Sequence, residues 1–230
     1  MDFKFQKIKE IVEKELSCSA HDMDHIIRVY NLSLHLAENE NIDLDILKAS
    51  ALLHDIARVK EDQDPTGKTD HAILSSEMAL PILKELNFPE NKIKHIQDCI
   101  VSHRFRTGDI AKTKEAQILF DADKLDTLGA IGIARVFVWI GKNKAKIYSE
   151  TDIEKYIKEN LSGKINGRIQ DKTKHSPQIE FETKSKFILD KLYTQKAKEV
   201  GKERMEYYKS FLDKLEKEIK GEYQNEIGKD

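Results

Sequence analysis

Apolar residues along this chain recur at intervals of three and four, the spacing that gathers them on one face of an α-helix, and only four prolines interrupt the pattern. The reading is therefore all-α. An amphipathic helix spans 3–16, and SCSAHD then supplies capping residues for a second over 23–40. Asp43 caps a third helix running to 58. Residues 60–70, KEDQDPTGKTD, read as a loop marked by Pro65 and Gly67. Helices follow over 71–86, 90–103 and, after the loop RFRTGDIAKT, 114–125, with a seventh reaching 140.

Beyond GKNKAK the texture changes. Thr151 and Glu154 have the S/T-x-x-E form of a capping box and open a short helix. Residues 163–178 are polar and irregular, and 179–221 read as one long charged helix with Phe187, Leu192, Met205, Phe211 and Leu215 for packing. No linker rich enough to separate a second domain is present. The expectation is a helical bundle over 1–150, with 151–230 a helical extension packed on it within the same domain.

Composition narrows the partners. Lys and Arg number 39 against 41 Asp and Glu, a net charge of -2 over 230 residues, so no global field draws the chain to nucleic acid or anionic lipid. The most apolar run, LGAIGIARVFVWI at 128–140, is shorter than the ~20 residues of a membrane span and carries Arg135. The N-terminal MDFKFQKIKE is charged throughout and is no signal peptide. The two cysteines, Cys18 and Cys99, are too few for a disulfide framework or zinc ribbon and fit a reducing, cytoplasmic setting.

The chemistry lies in what the apolar faces carry. At 100° per residue, His25 shares a stripe with Val29, Leu32 and Leu36, and His54 with Leu47 and Ala51. Asp55 aligns with Leu44, Ala51 and Leu52, and His71 with Leu74 and Met78. His103 ends the stripe of Ile93, Ile96 and Ile100, and Asp123 follows Ala116, Leu119 and Phe120. One histidine on such a stripe is ordinarily a satisfied core residue. A buried polar group without a partner costs about 1–3 kcal/mol, so six of them call for something shared. Imidazoles and carboxylates converging on one point are what a divalent cation needs, and nitrogen and oxygen donors without thiolate suit Mn, Fe, Co, Ni, Zn or Mg. Neighbours on a helix diverge by about 100°, so His54 and Asp55 reach one ion only if it lies off the helix flank. His35, His95 and His175 carry no comparable signal.

Three strings then sharpen the picture: HDMDHIIRV at 21–29, ALLHDIAR at 51–58 and DADKLDTLGAIGIAR at 121–135. With them the chain resembles the HD-domain metal-dependent phosphohydrolases, most closely a small bacterial-type subgroup, over about residues 17–140. The tail TQKAKEVGKERMEYYKSFLDKLEKE resembles that subgroup's last helix. The resemblance implies an HD-domain helical bundle whose H…HD…D ligands are His25, His54, Asp55 and Asp123. The family's ligand in the ADK-type string selects Asp123 over Asp121 or Asp126. His71 and His103 resemble the extra histidines of two-metal HD proteins, whereas in one-metal relatives such histidines face phosphate. An acidic residue that some HD nucleotidases carry three or four positions after the HD aspartate is replaced here by Arg58 and Val59.

The activity so implied is hydrolysis of a small phosphorylated substrate, a nucleotide first of all, with Asp55, Asp126 and Lys124 carrying the chemistry. Asp126, one helical turn beyond Asp123, would orient the attacking water or a ligand histidine, or else serve as an N-cap or surface acid. Arg28, Lys124 and Arg58 are the leading phosphate contacts, with Lys68, Arg104 and Arg106 near the expected mouth. Competing readings are a cyclic-nucleotide phosphodiesterase with two metals, a non-catalytic nucleotide- or metal-binding regulatory module, and a helical scaffold. No stable nucleic-acid partner and no membrane are expected, and the oligomeric state is left open.

Overall fold

The structure, a computed structural model, describes residues 2–16, 23–104, 110–165 and 167–222, and all regular structure among them is helical. Cys18, His21, Asp22 and Arg106 lie outside the described residues. The chain divides into two compact units. The first comprises residues 1–126 with 192–197, and the second 127–191 with 198–230. The division thus falls at Asp126, inside the span read as one bundle to 150.

The first unit holds α1 (Phe3–Glu15), α2 (Met23–Leu36), α3 (Leu44–Leu53), α4 (Arg58–Gln63), α5 (His71–Glu85), α6 (Glu90–Ser102) and α7 (Lys114–Leu125). Side chains cap the orphan amides of several. Asp2 accepts from Lys4 N, Asp43 from Asp45 N and Ile46 N, Asp70 from Ala72 N and Ile73 N, and Thr113 from Ala116 N. Helix α3 is the axis of the unit and packs against α1, α2, α5, α6 and α7. Its residues are buried nearly all round: Ile46, Leu47, Ala49, Ser50, Ala51, Leu52 and Leu53. The small alanines let neighbouring helices approach, and each large side chain fully buried contributes about 1.5–3 kcal/mol.

The regular helix ends at Leu53 and does not run to 58 as the periodicity predicts. His54 is its C-cap. Beyond it the backbone tightens, with Ile56 N donating to Leu53 O and Arg58 N to Asp55 O. The amide of Ala57 donates to the buried Ser75 Oγ at 3.0 Å, a tertiary partner that holds the turn open. Helix α4 then occupies residues read as the start of a loop. His54 and Asp55 therefore stand on a helix-ending corner, where successive side chains need not follow the helical rotation.

Asp121 explains the split composition of the first unit. Fully buried on α7, its carboxylate accepts from Tyr193 N, Thr194 N and Thr194 Oγ1, each at 2.8 Å. The ring of Phe120 packs edge-on against that of Tyr193.

The second unit contains α8 (Gly129–Lys142), α9 (Ile153–Asn160), α10 (Pro177–Thr183) and most of α11 (Gln195–Lys220). The helix expected over 179–221 is interrupted by 3-10 turns at Ser185–Phe187 and Leu189–Lys191. The hydroxyl of Thr183 bonds back to Ile179 O, and Thr194 is held by Asp121, so tertiary and side-chain bonds replace helical ones there. Asp152, rather than Thr151, caps α9 through Lys155 N. Gly132 is required for closeness, since a Cβ there would meet Thr127 O at 2.2 Å. The core gathers Tyr156, Leu161 and Ile179. Beside it His175 is buried with both ring nitrogens engaged, Nδ1 at 2.8 Å from Tyr156 Oη and Nε2 at 3.0 Å from Glu180 Oε2. Among the described residues no helix is long and apolar enough to cross a membrane.

Candidate metal centre

Four helices and the turn after α3 bring seven ionisable side chains of the first unit together. His25 comes from α2, His54 and Asp55 from the turn, His71 from the start of α5, His103 from the end of α6, and Asp123 and Asp126 from the end of α7. The four histidines are 5% exposed or less, which excludes a role as solvated surface groups.

Each imidazole is fixed through Nδ1. His54 Nδ1 donates to Ala51 O at 2.9 Å, and His103 Nδ1 to Ile100 O. His25 Nδ1 lies 2.8 Å from Asp126 Oδ2, and His71 Nδ1 2.7 Å from Glu61 Oε2. Carbonyls and carboxylates only accept, so the ring proton sits on Nδ1 in all four. In the neutral imidazole, Nε2 then carries a lone pair. Those Nε2 atoms face one another in pairs, His25 and His54 at 3.3 Å and His71 and His103 at 3.3 Å.

Asp55 stands between the pairs. Its Oδ2 lies 3.7 Å from His25 Nε2 and 3.9 Å from His54 Nε2, and its Oδ1 lies 3.2 Å from His71 Nε2 and 3.4 Å from His103 Nε2. Two triads result, His25 with His54 and Asp55, and Asp55 with His71 and His103, each with donor atoms within 4.8 Å of one another. Asp123 joins through His25, its Oδ1 3.5 Å from Nε2, while its Oδ2 accepts from Lys124 Nζ at 2.6 Å.

Protonation follows from burial and neighbours. Burial pushes the His54 imidazole down to about 4, against the pull of Asp55. His71 is lowered by burial as well, against the bond to Glu61. Burial would raise the Asp55 carboxyl, but His54, His103 and His71 outweigh it and hold it well below the usual range. Asp123 is depressed likewise, with burial opposed by Lys124, His25 and His54. Neutral imidazoles beside ionised carboxylates are the state a divalent cation takes up without displacing protons. The buried Asp55 Oδ1 accepts no well-formed hydrogen bond, although native structures leave few such atoms unserved. An oxygen that only accepts, faced by lone pairs, fits a shared cation. The nitrogen and oxygen donors suit a hard or borderline divalent ion.

Four of the expected phosphate contacts, Arg28, Arg58, Arg104 and Lys124, are engaged with carboxylates. Arg28 Nε donates to Asp126 Oδ1 at 2.8 Å and its Nη2 to Oδ2 at 3.1 Å, so Asp126 braces His25 and Arg28 together. Arg58 Nη1 donates to Glu61 Oε2 at 2.8 Å. Arg104 bridges Glu61 Oε1 at 2.9 Å and Asp70 Oδ2 at 2.6 Å. Lys68 is exposed, and its amide serves the turn around Asp64. Sequence reasoning passed over Glu61 because it sits in a polar run that reads as loop. The one available signal was its position three residues after Arg58.

Residues 23–128 match the family model for the HD domain. YpgQ of Bacillus subtilis is 28% identical over 207 residues, covering 88% of this chain and 86% of YpgQ. An HD-superfamily hydrolase from Bacillus thuringiensis has TM-score 0.68 and 26% identity, covering 94% of this chain and 97% of its own. YpgQ in complex with ADP has TM-score 0.67 at 24% identity, with 94% of each chain covered.

Proposed function

This chain belongs to the HD-domain superfamily through residues 23–128, and on that premise we propose that it is a metal-dependent phosphohydrolase acting on a small phosphorylated metabolite, a nucleotide in the first instance. One observation carries the reading: four Nε2 lone pairs converge in two pairs on the opposite oxygens of one buried carboxylate, Asp55. The nucleotide assignment draws on the relative YpgQ, which has been solved in complex with ADP.

In this reading His25, His54, Asp55 and Asp123 hold the principal cation, and His71 and His103 with Asp55 Oδ1 hold a second cation or the substrate phosphate. A divalent ion so held would supply Lewis-acid charge to a phosphoryl oxygen and acidify water toward neutrality. The protein's own groups do the rest. Asp126 fixes the His25 tautomer, so that Nε2 faces inward without rearrangement. Lys124 neutralises the outer oxygen of Asp123 and is 18% exposed, near enough to the surface to meet an incoming phosphate. Arg28 and Arg58 can turn remaining donors to phosphate while braced by Asp126 and Glu61.

The sharing of Asp55 between two triads also favours a second reading, a phosphodiesterase that cleaves cyclic nucleotides with a two-metal clamp. Calorimetric titration of chelator-stripped protein with Mn²⁺ tests the common premise, and substoichiometric uptake overturns it. Release of phosphate or pyrophosphate is then followed for nucleoside triphosphates, ADP, monophosphates and cyclic dinucleotides with Mn²⁺, Co²⁺ and Ni²⁺. Turnover of linear nucleotides supports the first reading. Exclusive turnover of cyclic ones replaces it with the second, and a metal-loaded protein inert to all of them ends the nucleotide assignment.

A further inference from the structure

Glu61 holds a position in the first unit that the proposed chemistry does not by itself assign. It lies on α4, six residues after Asp55 in sequence, and both of its oxygens are used. Oε2 receives His71 Nδ1 at 2.7 Å and Arg58 Nη1 at 2.8 Å, and Oε1 receives Arg104 Nη2 at 2.9 Å. The 3.1 Å approach of Arg58 Nη1 to His71 Nδ1 is the meeting of two donors over one acceptor oxygen. Asp70, the N-cap of α5, takes the other branch of Arg104 at 2.6 Å. One carboxylate thus ties together α4, the start of α5 and the residue that follows α6 and His103.

We infer that Glu61 is a positioning residue that fixes the tautomer and direction of His71, and through the two arginines the spacing of His71 and His103, so that the second triad on Asp55 is assembled before any ligand arrives. The inference rests on the proposed metal site but makes a claim of its own. A neutral imidazole without a partner at Nδ1 prefers neither tautomer strongly. Put the proton on Nε2 and His71 presents a donor to Asp55 Oδ1 at 3.2 Å instead of a lone pair. The triad would then close on itself and exclude a cation. A carboxylate at Nδ1 forbids that state, since it accepts only. His103 needs no such carboxylate, because the end of α6 already offers it the carbonyl of Ile100. His71 opens α5, where no carbonyl of a preceding turn is at hand, and Glu61 takes that place.

The test reads the metal-free protein first. Long-range ¹H–¹⁵N spectra of the histidine side chains report each tautomer directly. In the parent protein His71 is expected as the Nδ1–H form. In Glu61→Ala it is expected to become a mixture, while His25, braced by Asp126, stays unchanged as internal control. In Glu61→Gln the amide oxygen can still accept from Nδ1–H, so the tautomer is expected to hold even though the charge is lost. Mn²⁺ titration should then show the second equivalent weakened by about 10–100-fold in Glu61→Ala and by less in Glu61→Gln, the first equivalent being unaffected. An unchanged His71 tautomer in Glu61→Ala overturns the inference, as does a disturbance that reaches His25 equally. Failure of the parent protein to bind Mn²⁺ overturns the metal reading, while the tautomer spectra still decide whether Glu61 positions His71.

Discussion

His54 in the first unit and His175 in the second are both buried, yet they are opposite kinds of histidine. His175 has both nitrogens served by its own unit, with Tyr156 on one side and Glu180 on the other, and an edge-on Trp139 beside it. His54 is served at Nδ1 alone, and its Nε2 looks at another imidazole and a carboxylate. His25, His71 and His103 likewise turn Nε2 toward another imidazole and the carboxylate of Asp55. A completed histidine is core; four whose Nε2 atoms gather around Asp55 form a group able to hold a cation. Burial does not separate the two kinds, and neither does residue type. What separates them is what the fold sets against Nε2: one carboxylate within the unit's own core for His175, and other imidazoles around Asp55 for the four.

The largest effect that would break this contrast is Asp55→Ala. It removes both oxygens on which the triads meet, so Mn²⁺ uptake and metal-dependent turnover should each fall by more than about 100-fold, beyond the usual loss from an outer partner. The metal-free variant should unfold at no lower urea concentration than the parent, because a poorly served buried charge has gone. Full activity in this variant would refute the ligand role. Next comes His103→Ala, expected to abolish the second equivalent of metal in a titration and spare the first; unchanged stoichiometry would make His103 a phosphate contact or packing residue. Asp126→Asn should weaken the first equivalent by about 10–100-fold, with the second retained. The smallest effect belongs to the completed histidine. Glu180→Gln should leave metal uptake unaltered and change only acid stability. Burial would raise the Glu180 carboxyl, but Lys184 and His175 hold it well below the ordinary value. The folded chain therefore binds that proton less readily than the unfolded one. The stabilisation is present above the unfolded value of about 4.3 and lost progressively as pH falls below it. Urea unfolding of the second unit should accordingly depend less on pH in that acidic range when Glu180 is replaced.

The site was legible where its residues lay on regular helices. His25, Asp123 and His103 fall on or end apolar stripes, and their convergence is the sum of three periodicities. The HD pair was legible as an anomaly but not as a corner, because the break at Leu53 depends on Ser75, distant in sequence, receiving Ala57 N. Glu61 was invisible for a related reason: its meaning depends on α5 delivering His71 to it, and nothing in KEDQD announces that. The expected helix over 179–221 failed likewise, since its interruption is enforced in part by Asp121 from another part of the chain. Asp121 and Asp123, two residues apart on α7, show the limit most sharply. The helix sends one to the backbone of 193–194 and the other to His25, and only the resemblance to HD proteins distinguished them beforehand.

The grip of Asp121 on Tyr193 and Thr194 has a bearing on how such a domain can be inherited. The HD match stops at residue 128, yet a carboxylate seven positions earlier is held by two amides and a hydroxyl sixty and more residues downstream. A gene fragment cut at the match would encode a fold whose buried Asp121 charge has lost those three bonds, a penalty of about 3–5 kcal/mol against a total margin of about 5–15. Recombination that moves this helical bundle between proteins must therefore carry along a distant hexapeptide, or find a substitute for it, before the transplanted piece can stand.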